Sequence, residues 1–351
     1  KHLPYDLRQG VKKTINWSIS YHKYKVFYKN YYDFPKTALI DLDFKKIRLG
    51  NVTNALKGGR KAVGYLETYK DYVIIASGYG DFIYINTKNI SKKSNQNKIK
   101  TNLKEIIDDY SYLSFTKEAK ENCYNNSIIK AKIDLNYLEF KDFFSYDECV
   151  LFDKKIKNIP KQGFNKAFSG QNASGRMAVF KYQGNKKMLF VTGNFQKHSA
   201  SQDDNSKLGK ALIIDLDKGS SFTFAKGLRN IQGLLVLEDT IITSSHGPYG
   251  GDEINNIKLN NNYGWPFASY GTRYGYQQNE DLKFKKNHKI NGFTEPIYSF
   301  VPSVGLSQLI NVEKGFNLKW ENNILLTSLK GESIFRLTMD DEYSRIISKE
   351  R

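Results

Sequence analysis

Residues 227–266 hold three polar clusters separated by two strand-like apolar runs. They are Gly227-Leu228-Arg229-Asn230-Ile231-Gln232-Gly233, then His246-Gly247-Pro248 with Gly250-Gly251-Asp252-Glu253-Ile254-Asn255, then Asn262-Tyr263-Gly264-Trp265-Pro266. Polar residues at the turns of a β scaffold are where such a scaffold places its chemistry. Arg229 offers a rigid fork of donors able to hold a carboxylate or an oxygen that gains negative charge. In the plainer reading, Arg229 pairs with a buried acid and Asn230 caps a turn. Asp252 and Glu253 supply carboxylate oxygens for a ligand, or cap turns and pair with lysines. Lys330, at the end of a strand-like run, is either a second cation for an anionic ligand or a solvated turn residue.

Other arrangements are excluded by spacing. Ser245-His246 is not a hydrolase pair, because adjacent strand residues point to opposite faces and no GxSxG elbow accompanies them. His246 reads as a pocket-lining or structural residue. Cys123 and Cys149 are not a CxxC pair, and the five histidines show no HExxH spacing, so zinc chemistry has no support. Asp215-Leu216-Asp217-Lys218-Gly219 lacks the closing Glu of a calcium loop, and Gly78-Tyr79-Gly80-Asp81 opens no helix.

The elements that would position these residues read as strands. Asp71–Ser77 and Phe82–Asn86 form one predicted hairpin. Similar pairs follow at Met177–Tyr182 with Lys187–Thr192, Ala211–Leu216 with Ser221–Phe224, and Leu234–Glu238 with Thr240–Ser244. Further strands are expected at Ile297–Phe300, Leu306–Val312, Asn323–Ser328 and Ser333–Met339. Gly, Asn, Asp and Ser fill the connections, as hairpins require. Two helical segments are expected, Asn102–Asp109 and Phe115–Tyr124. Ala38–Asp43 reads as a strand and Tyr21–Tyr32 as an aromatic, basic stretch. Many short strands suit a sandwich, a barrel or a propeller, and spacing alone does not separate them.

The 351 residues suit one large β domain or two ordinary ones. Hydrophobic residues make up 40% and aromatic residues 14%, enough for a packed core. No run approaches the ~18 apolar residues that cross a bilayer. No signal peptide is visible, and Lys1-His2-Leu3-Pro4 reads as a processed or trimmed start. The two cysteines allow one disulfide or two free thiols equally. The formal charge of +18, from 54 basic and 36 acidic residues, offers attraction to an acidic glycan, an anionic membrane surface or nucleic acid. The plainer reading is lysine spread over solvated faces. No basic helix or nucleic-acid motif accompanies the charge, so nucleic acid is not the expected partner.

The clusters at 227–266, with Pro302-Ser303-Val304-Gly305 and the segment Trp320–Lys330, resemble the glucose/sorbosone dehydrogenase family, chiefly over residues 165–340. This resemblance implies an all-β, six-bladed β-propeller, taken here as a single domain over residues 1–351. It further implies an exported protein, periplasmic or secreted, that uses pyrroloquinoline quinone (PQQ) and calcium to oxidise an aldose or polyol. By the same resemblance, Arg229, Asn230 and Lys330 contact the quinone, and Gly247 and Pro248 ligate calcium through main-chain carbonyls, a donor type that calcium accepts. Asp252, Glu253 and carbonyl oxygens near Tyr263 are candidates for a separate structural calcium, while Tyr263-Gly264-Trp265-Pro266 is mainly structural.

The chain departs from the family pattern at the base. The family histidine stands shortly before a Gly-Arg pair, here Gly175-Arg176, and Asn172 occupies its position. An amide takes no proton at ordinary pH, whereas imidazole titrates near neutrality. Thr192-Gly193-Asn194 also replaces a Gly-Asp. His198, in the next loop, is the candidate substitute base. Only 21 residues follow Lys330, where the family continues into another segment, so either the chain stops early or its N-terminal region completes the last blade. The alternative to an enzyme is a non-catalytic propeller that binds a glycan or protein through the same face.

Overall fold

In the computed structural model, Met188–Thr192 and Lys210–Ile214 are buried along their whole length. Strands of this kind lie inside a sheet covered on both faces, and their near-continuous apolar sequence reflects it. The structure describes residues 65–76, 82–86, 98–99, 105–107, 109–133, 139–152, 168–273 and 283–351. The readings at Tyr21–Tyr32, Ala38–Asp43 and Gly78–Asp81 lie outside these residues.

The chain resolves into two compact units, residues 1–113 with 131–140, and residues 114–130 with 141–351. In the first, β1 (Tyr65–Tyr69), β2 (Tyr72–Ala76), β3 (Phe82–Asn86) and β4 (Lys98–Ile99) form an antiparallel meander, so the predicted first hairpin is present as β2–β3. A second sheet contains β5 (Glu105–Ile107), β6 (Tyr110–Lys120), β7 (Cys123–Lys132), β8 (Lys141–Phe144) and β9 (Val150–Leu151). The expected helices at Asn102–Asp109 and Phe115–Tyr124 are thus corrected: the described parts of both are strand and turn, with no helix. Glu118, Ala119 and Lys120 are good helix formers, but the chain there alternates. Thr116, Glu118 and Lys120 are exposed, and Phe115, Lys117 and Ala119 are half-buried. Asn122, at φ 54°, turns the chain, and its amide donates to Glu118 Oε1 at 2.8 Å. Tertiary pairing overrides propensity at this hairpin.

Three four-stranded antiparallel meanders follow in the second unit. They are β10 (Ser174–Tyr182) to β13 (Ser221–Lys226) through β11 (Asn185–Thr192) and β12 (Lys210–Asp215); β14 (Ile231–Leu237) to β17 (Tyr298–Phe300) through β15 (Thr240–Ser245) and β16 (Asp252–Asn256); and β18 (Leu306–Asn311) to β21 (Ile346–Glu350) through β19 (Ile324–Ser328) and β20 (Ser333–Met339). The strands expected from residue 177 onward are all present. Leu189, Val191, Ile213 and Phe224 pack against Ile231, Leu234 and Ile241 of the next meander. Ile242, Ile254 and Phe300 pack in turn against Leu306, Leu326 and Phe335 of the last. The other face of β11 is covered at Phe190 by Phe144, ring centres 6.0 Å apart and edge to face. The described residues are therefore all-β, with five sheets and only short 3₁₀ turns at His198–Ser201 and Lys289–Asn291.

Cys123 and Cys149 form a disulfide, Cα atoms 5.4 Å apart. It ties the start of β7 to the segment before β9.

Candidate functional site

The three polar clusters meet between β14 and β15 and the turns that follow them. Ile231 opens β14 opposite Ser245, which ends β15, so Arg229 and His246 emerge side by side. Arg229 Nη1 donates to the His246 carbonyl at 2.9 Å, and its guanidinium carbon stands 5.1 Å from the Trp265 ring centre. That contact is a cation–π pair in which a planar guanidinium excels. One pocket is lined by Arg229, Ser245 to Pro248, Glu253, Asn255, Trp265 and Ser269 among others. Arg229, Gly247, Pro248, Glu253 and Tyr263 are therefore brought together there, whereas Asn230, Asp252, Lys330 and His198 are not among its lining residues.

Gly247 and Pro248 are both buried. A Cβ on Gly247 would run into the carbonyls of Gly250 and Gly251, so only glycine lets this turn close. Asp252 holds the turn from inside. Its Oδ1 accepts from the Gly247 amide at 3.0 Å and from Ser303 Oγ at 2.8 Å. Its Oδ2 accepts from the amides of Val304 (3.1 Å), Gly305 (2.6 Å) and Leu306 (3.3 Å). Five donors use the whole acceptor capacity of one carboxylate, so Asp252 is a structural anchor with no lone pair left for a cation.

Glu253 is different. Burial pushes its carboxyl up to about 8, aided by the nearby carboxylates of Glu295 and Asp252 and opposed by a hydrogen bond from Asn255. His288 Nε2 lies 3.6 Å from Glu253 Oε1, and burial lowers the His288 pKa, so this pair is not a charged bridge at neutral pH. Burial likewise lowers the pKa of His246, whose Nε2 meets the Leu306 carbonyl at 2.6 Å. His246 is thus a neutral structural donor. Tyr263 donates its hydroxyl to the Asn256 carbonyl and accepts from the Lys258 amide at 2.9 Å, and burial pushes it up to about 12. Its ring is core; only its main chain is available to a ligand.

Asn230 is buried, with Oδ1 accepting from Gln232 Nε2 at 2.9 Å. Its Nδ2 is the atom left to serve a ligand. Lys330 is exposed, and its amide donates to the Val304 carbonyl at 2.8 Å, next to the loop that Asp252 anchors.

Asn172, Asn194 and His198 do meet. Asn172 Nδ2 lies 3.3 Å from Asn194 Oδ1, and Asn194 Nδ2 lies 2.8 Å from His198 Nδ1. The His198 ring sits edge-on to Trp265, centres 5.1 Å apart, which joins this trio to the Arg229 side. Sequence reading missed Gln202, which pairs both ends of its amide with Asn262 (3.1 and 2.8 Å) and donates to the Trp265 carbonyl at 2.6 Å. No spacing signal marks it, because its partner lies sixty residues away.

Among the described residues no three His, Cys, Asp or Glu side chains converge on a metal position. The oxygen set nevertheless suits a hard cation: the Gly247 and Pro248 main chain lies beside the Glu253 carboxyl, and Asn255 Oδ1 is buried without a hydrogen-bond partner. The donor set suits an anionic quinone: Arg229 supplies a guanidinium, and Trp265 Nε1 is a buried N–H with no acceptor. The residues present fit both groups.

The glucose/sorbosone dehydrogenase family model matches residues 107–351. The aldose sugar dehydrogenase YliI of Escherichia coli K12 is 24% identical over 194 residues, half of this chain and half of that protein. Quinoprotein glucose dehydrogenase B of Acinetobacter calcoaceticus is 27% identical over 224 residues, 44% of this chain and 46% of that protein. The chain spans about half the length of these curated relatives. A crystal structure of glucose dehydrogenase superposes with a TM-score of 0.64 at 20% identity, covering 82% of this chain and 85% of that one. The PQQ-bound aldose sugar dehydrogenase of Streptomyces coelicolor does so with a TM-score of 0.53 at 17% identity, with coverage of 82% and 85%. These structures share the fold. With its family model spanning most of its length, the chain belongs to the glucose/sorbosone dehydrogenase family.

Proposed function

We propose that the chain is a six-bladed β-propeller, one domain over residues 1–351, whose site binds PQQ and calcium and presents them to an aldose or polyol. One observation carries this reading: the Arg229 guanidinium over the Trp265 ring, beside the buried Gly247-Pro248 turn. Arg229 would hold the quinone's anionic edge, with Asn230 Nδ2 and Lys330 as further donors. Carbonyls of Gly247 and Pro248 would face calcium, and Glu253 with the Tyr263 main chain would hold a second, structural calcium. Asp252 keeps the first turn closed. Bound PQQ supplies a two-electron acceptor for the sugar's hydride. The PQQ-bound and quinoprotein relatives support this reading.

A second reading, a non-catalytic propeller that binds a glycan or protein partner, is favoured by Asn172 and Asn194. Neither can take a proton, and loss of a general base forfeits about 10²–10⁴ in rate. The charge of +18 makes an acidic glycan the natural partner in that case. Either way we place the chain in an exported, oxidising compartment, which the Cys123–Cys149 disulfide favours. Among the described residues no helix is long and apolar enough to cross a membrane.

The test is titration of the calcium-loaded protein with PQQ, read by tryptophan fluorescence, followed by sugar-dependent dye reduction in the same sample. Saturable binding with turnover establishes the oxidoreductase. Binding without turnover favours the non-catalytic reading with a retained pocket, and no binding removes the cofactor.

A further inference from the structure

We infer that the β18–β19 loop is a membrane-contact loop: Phe316 and Leu318 enter the headgroup region of an anionic bilayer, and Lys314 and Lys319 bind lipid phosphates. The loop would do so with or without a bound cofactor.

Its sequence is Val312-Glu313-Lys314-Gly315-Phe316-Asn317-Leu318-Lys319-Trp320. Val312 and Trp320, at the two ends, are buried, whereas Leu318 is 89% and Phe316 58% exposed. Single exposed apolar residues are ordinary on a protein surface. Two large ones in one turn, flanked by two exposed lysines, form an apolar tip with a cationic rim. Apolar burial and attraction to anionic lipid act together at such a surface.

The loop is built to hold these side chains outward. Its base is closed by main-chain pairs of Val312 with Asn322 (3.0 Å) and Asn323 (2.9 Å). The Trp320 and Glu321 amides donate to the Asn317 carbonyl at 2.9 and 3.0 Å. The Lys319 amide donates to Asn317 Oδ1 at 3.0 Å, and the Gly315 amide to Glu321 Oε1 at 2.8 Å. Arg336 Nη1 donates to the Lys319 carbonyl at 3.3 Å, with its guanidinium carbon 5.2 Å from the Trp320 ring centre. The Phe316 ring props against Trp320, centres 6.2 Å apart. The amides of Gly315, Lys319, Trp320 and Glu321 are thus paired inside the loop, which lowers the cost of moving it out of water.

The placement leaves the pocket open. β18 begins at Leu306, next to the Gly305 amide that Asp252 anchors, and ends at Asn311, just before the loop. Its 6 residues span about 20 Å, so the loop and the Gly247 turn lie at opposite ends of this strand. A loop seated on a bilayer therefore keeps the pocket facing solution. The net charge of +18 draws the chain to an anionic surface. Asp341 and Glu342, exposed in the turn from β20 to β21, share the loop's end and oppose that attraction locally.

The experiment is flotation of the full chain with vesicles of phosphatidylglycerol and phosphatidylcholine, and with phosphatidylcholine alone. The expected result is binding to the anionic vesicles that weakens with salt and is absent from the neutral ones. Phe316→Ser with Leu318→Ser should weaken binding at least about 10-fold, because that apolar surface no longer leaves water. Lys314→Gln and Lys319→Gln should each weaken it about 5-fold, and Asp341→Asn with Glu342→Gln should strengthen it. All six side chains are exposed, so the urea midpoints of these variants should match wild type.

Failure of the wild type to float with anionic vesicles overturns the inference. So does full binding by the Phe316→Ser, Leu318→Ser variant, which would assign the contact to charge elsewhere. Sedimentation covers the other occupant of an apolar tip. A wild-type dimer that dissociates in this variant, with no flotation of either protein, would make the tip a contact between two copies instead.

Discussion

The carboxylate of Asp252, at the start of β16, accepts the Gly305 amide hydrogen at 2.6 Å, fastening one meander to the loop that opens the next. The two residues are 53 apart in sequence. The same carboxylate closes the Gly247 turn, so the wall of the pocket and the joint between meanders depend on one side chain.

Asp252→Asn turns an NH₂ toward a cluster of donors and removes the charge that five hydrogen bonds share. Charge-assisted hydrogen bonds in buried surroundings are worth more than neutral ones. The expected cost is about 2–4 kcal/mol, read as a lower urea midpoint with unchanged slope. A loss below about 1 kcal/mol would contradict the anchoring role.

The disulfide is predicted to act on the loop of His198 through Glu148. Glu148 neighbours Cys149 and accepts from Ser206 Oγ (2.7 Å), the Lys207 amide (2.8 Å) and Lys197 Nζ (3.3 Å). Cys123→Ser with Cys149→Ser opens a loop with a sequence separation of 26, which by chain entropy costs about 3–4 kcal/mol. Glu148→Gln should raise amide exchange in residues 197–207 while β18–β21 keep their protection. Uniform exchange across both regions would refute the link.

Lys210 supplies the pH dependence. It is fully buried, with Nζ donating to the carbonyls of Ala200 (2.6 Å) and Leu208 (3.0 Å). Burial, partly offset by Glu148 and Asp203, lowers its pKa from 10.5 to about 8. Between these values the unfolded chain binds more protons than the folded one, so this group makes stability rise with pH from about 8 to about 10.5. Below pH 8 the cost of a buried cation stays in full. Relative to Lys210→Met, wild-type stability should climb by about 3 kcal/mol across that window. Parallel pH profiles of the two proteins would show the assignment to be wrong.

Arg229 is predicted to be irreplaceable by lysine. Arg229→Lys keeps the charge but loses the planar face over Trp265 and the donor to the His246 carbonyl. PQQ affinity should fall at least 10-fold while the unfolding midpoint moves little. Unchanged affinity in fluorescence titration would exclude Arg229 from the cofactor site.

The strands from residue 177 onward were legible because β-branched and aromatic runs alternate with Gly, Asn and Asp turns, local signals that survive in the fold. The hairpin β6–β7 was not. Glu118, Ala119 and Lys120 favour a helix locally, and only pairing with Cys123–Lys132 makes them strand. Arg229, Gly247, Pro248, Glu253 and Tyr263 were legible as a cluster, since all lie within one short span that folds onto a single pair of strands. Sequence alone leaves Asp252 as either a ligand carboxylate or a turn cap, because its three partners at 304–306 are more than fifty residues away; the structure makes it the cap.

The sequence by itself determined the strand-rich class and the turn-borne polar clusters, because each depends on residue type and local spacing, whereas the departures at Asn172 and Asn194 are legible only against the family resemblance. Tertiary structure alone decided which atoms those residues present. A carboxylate becomes an anchor or a ligand, and an imidazole a donor or a base, according to partners brought in from distant segments. Hydrogen bonds have direction, and only the folded backbone sets which donor faces which acceptor.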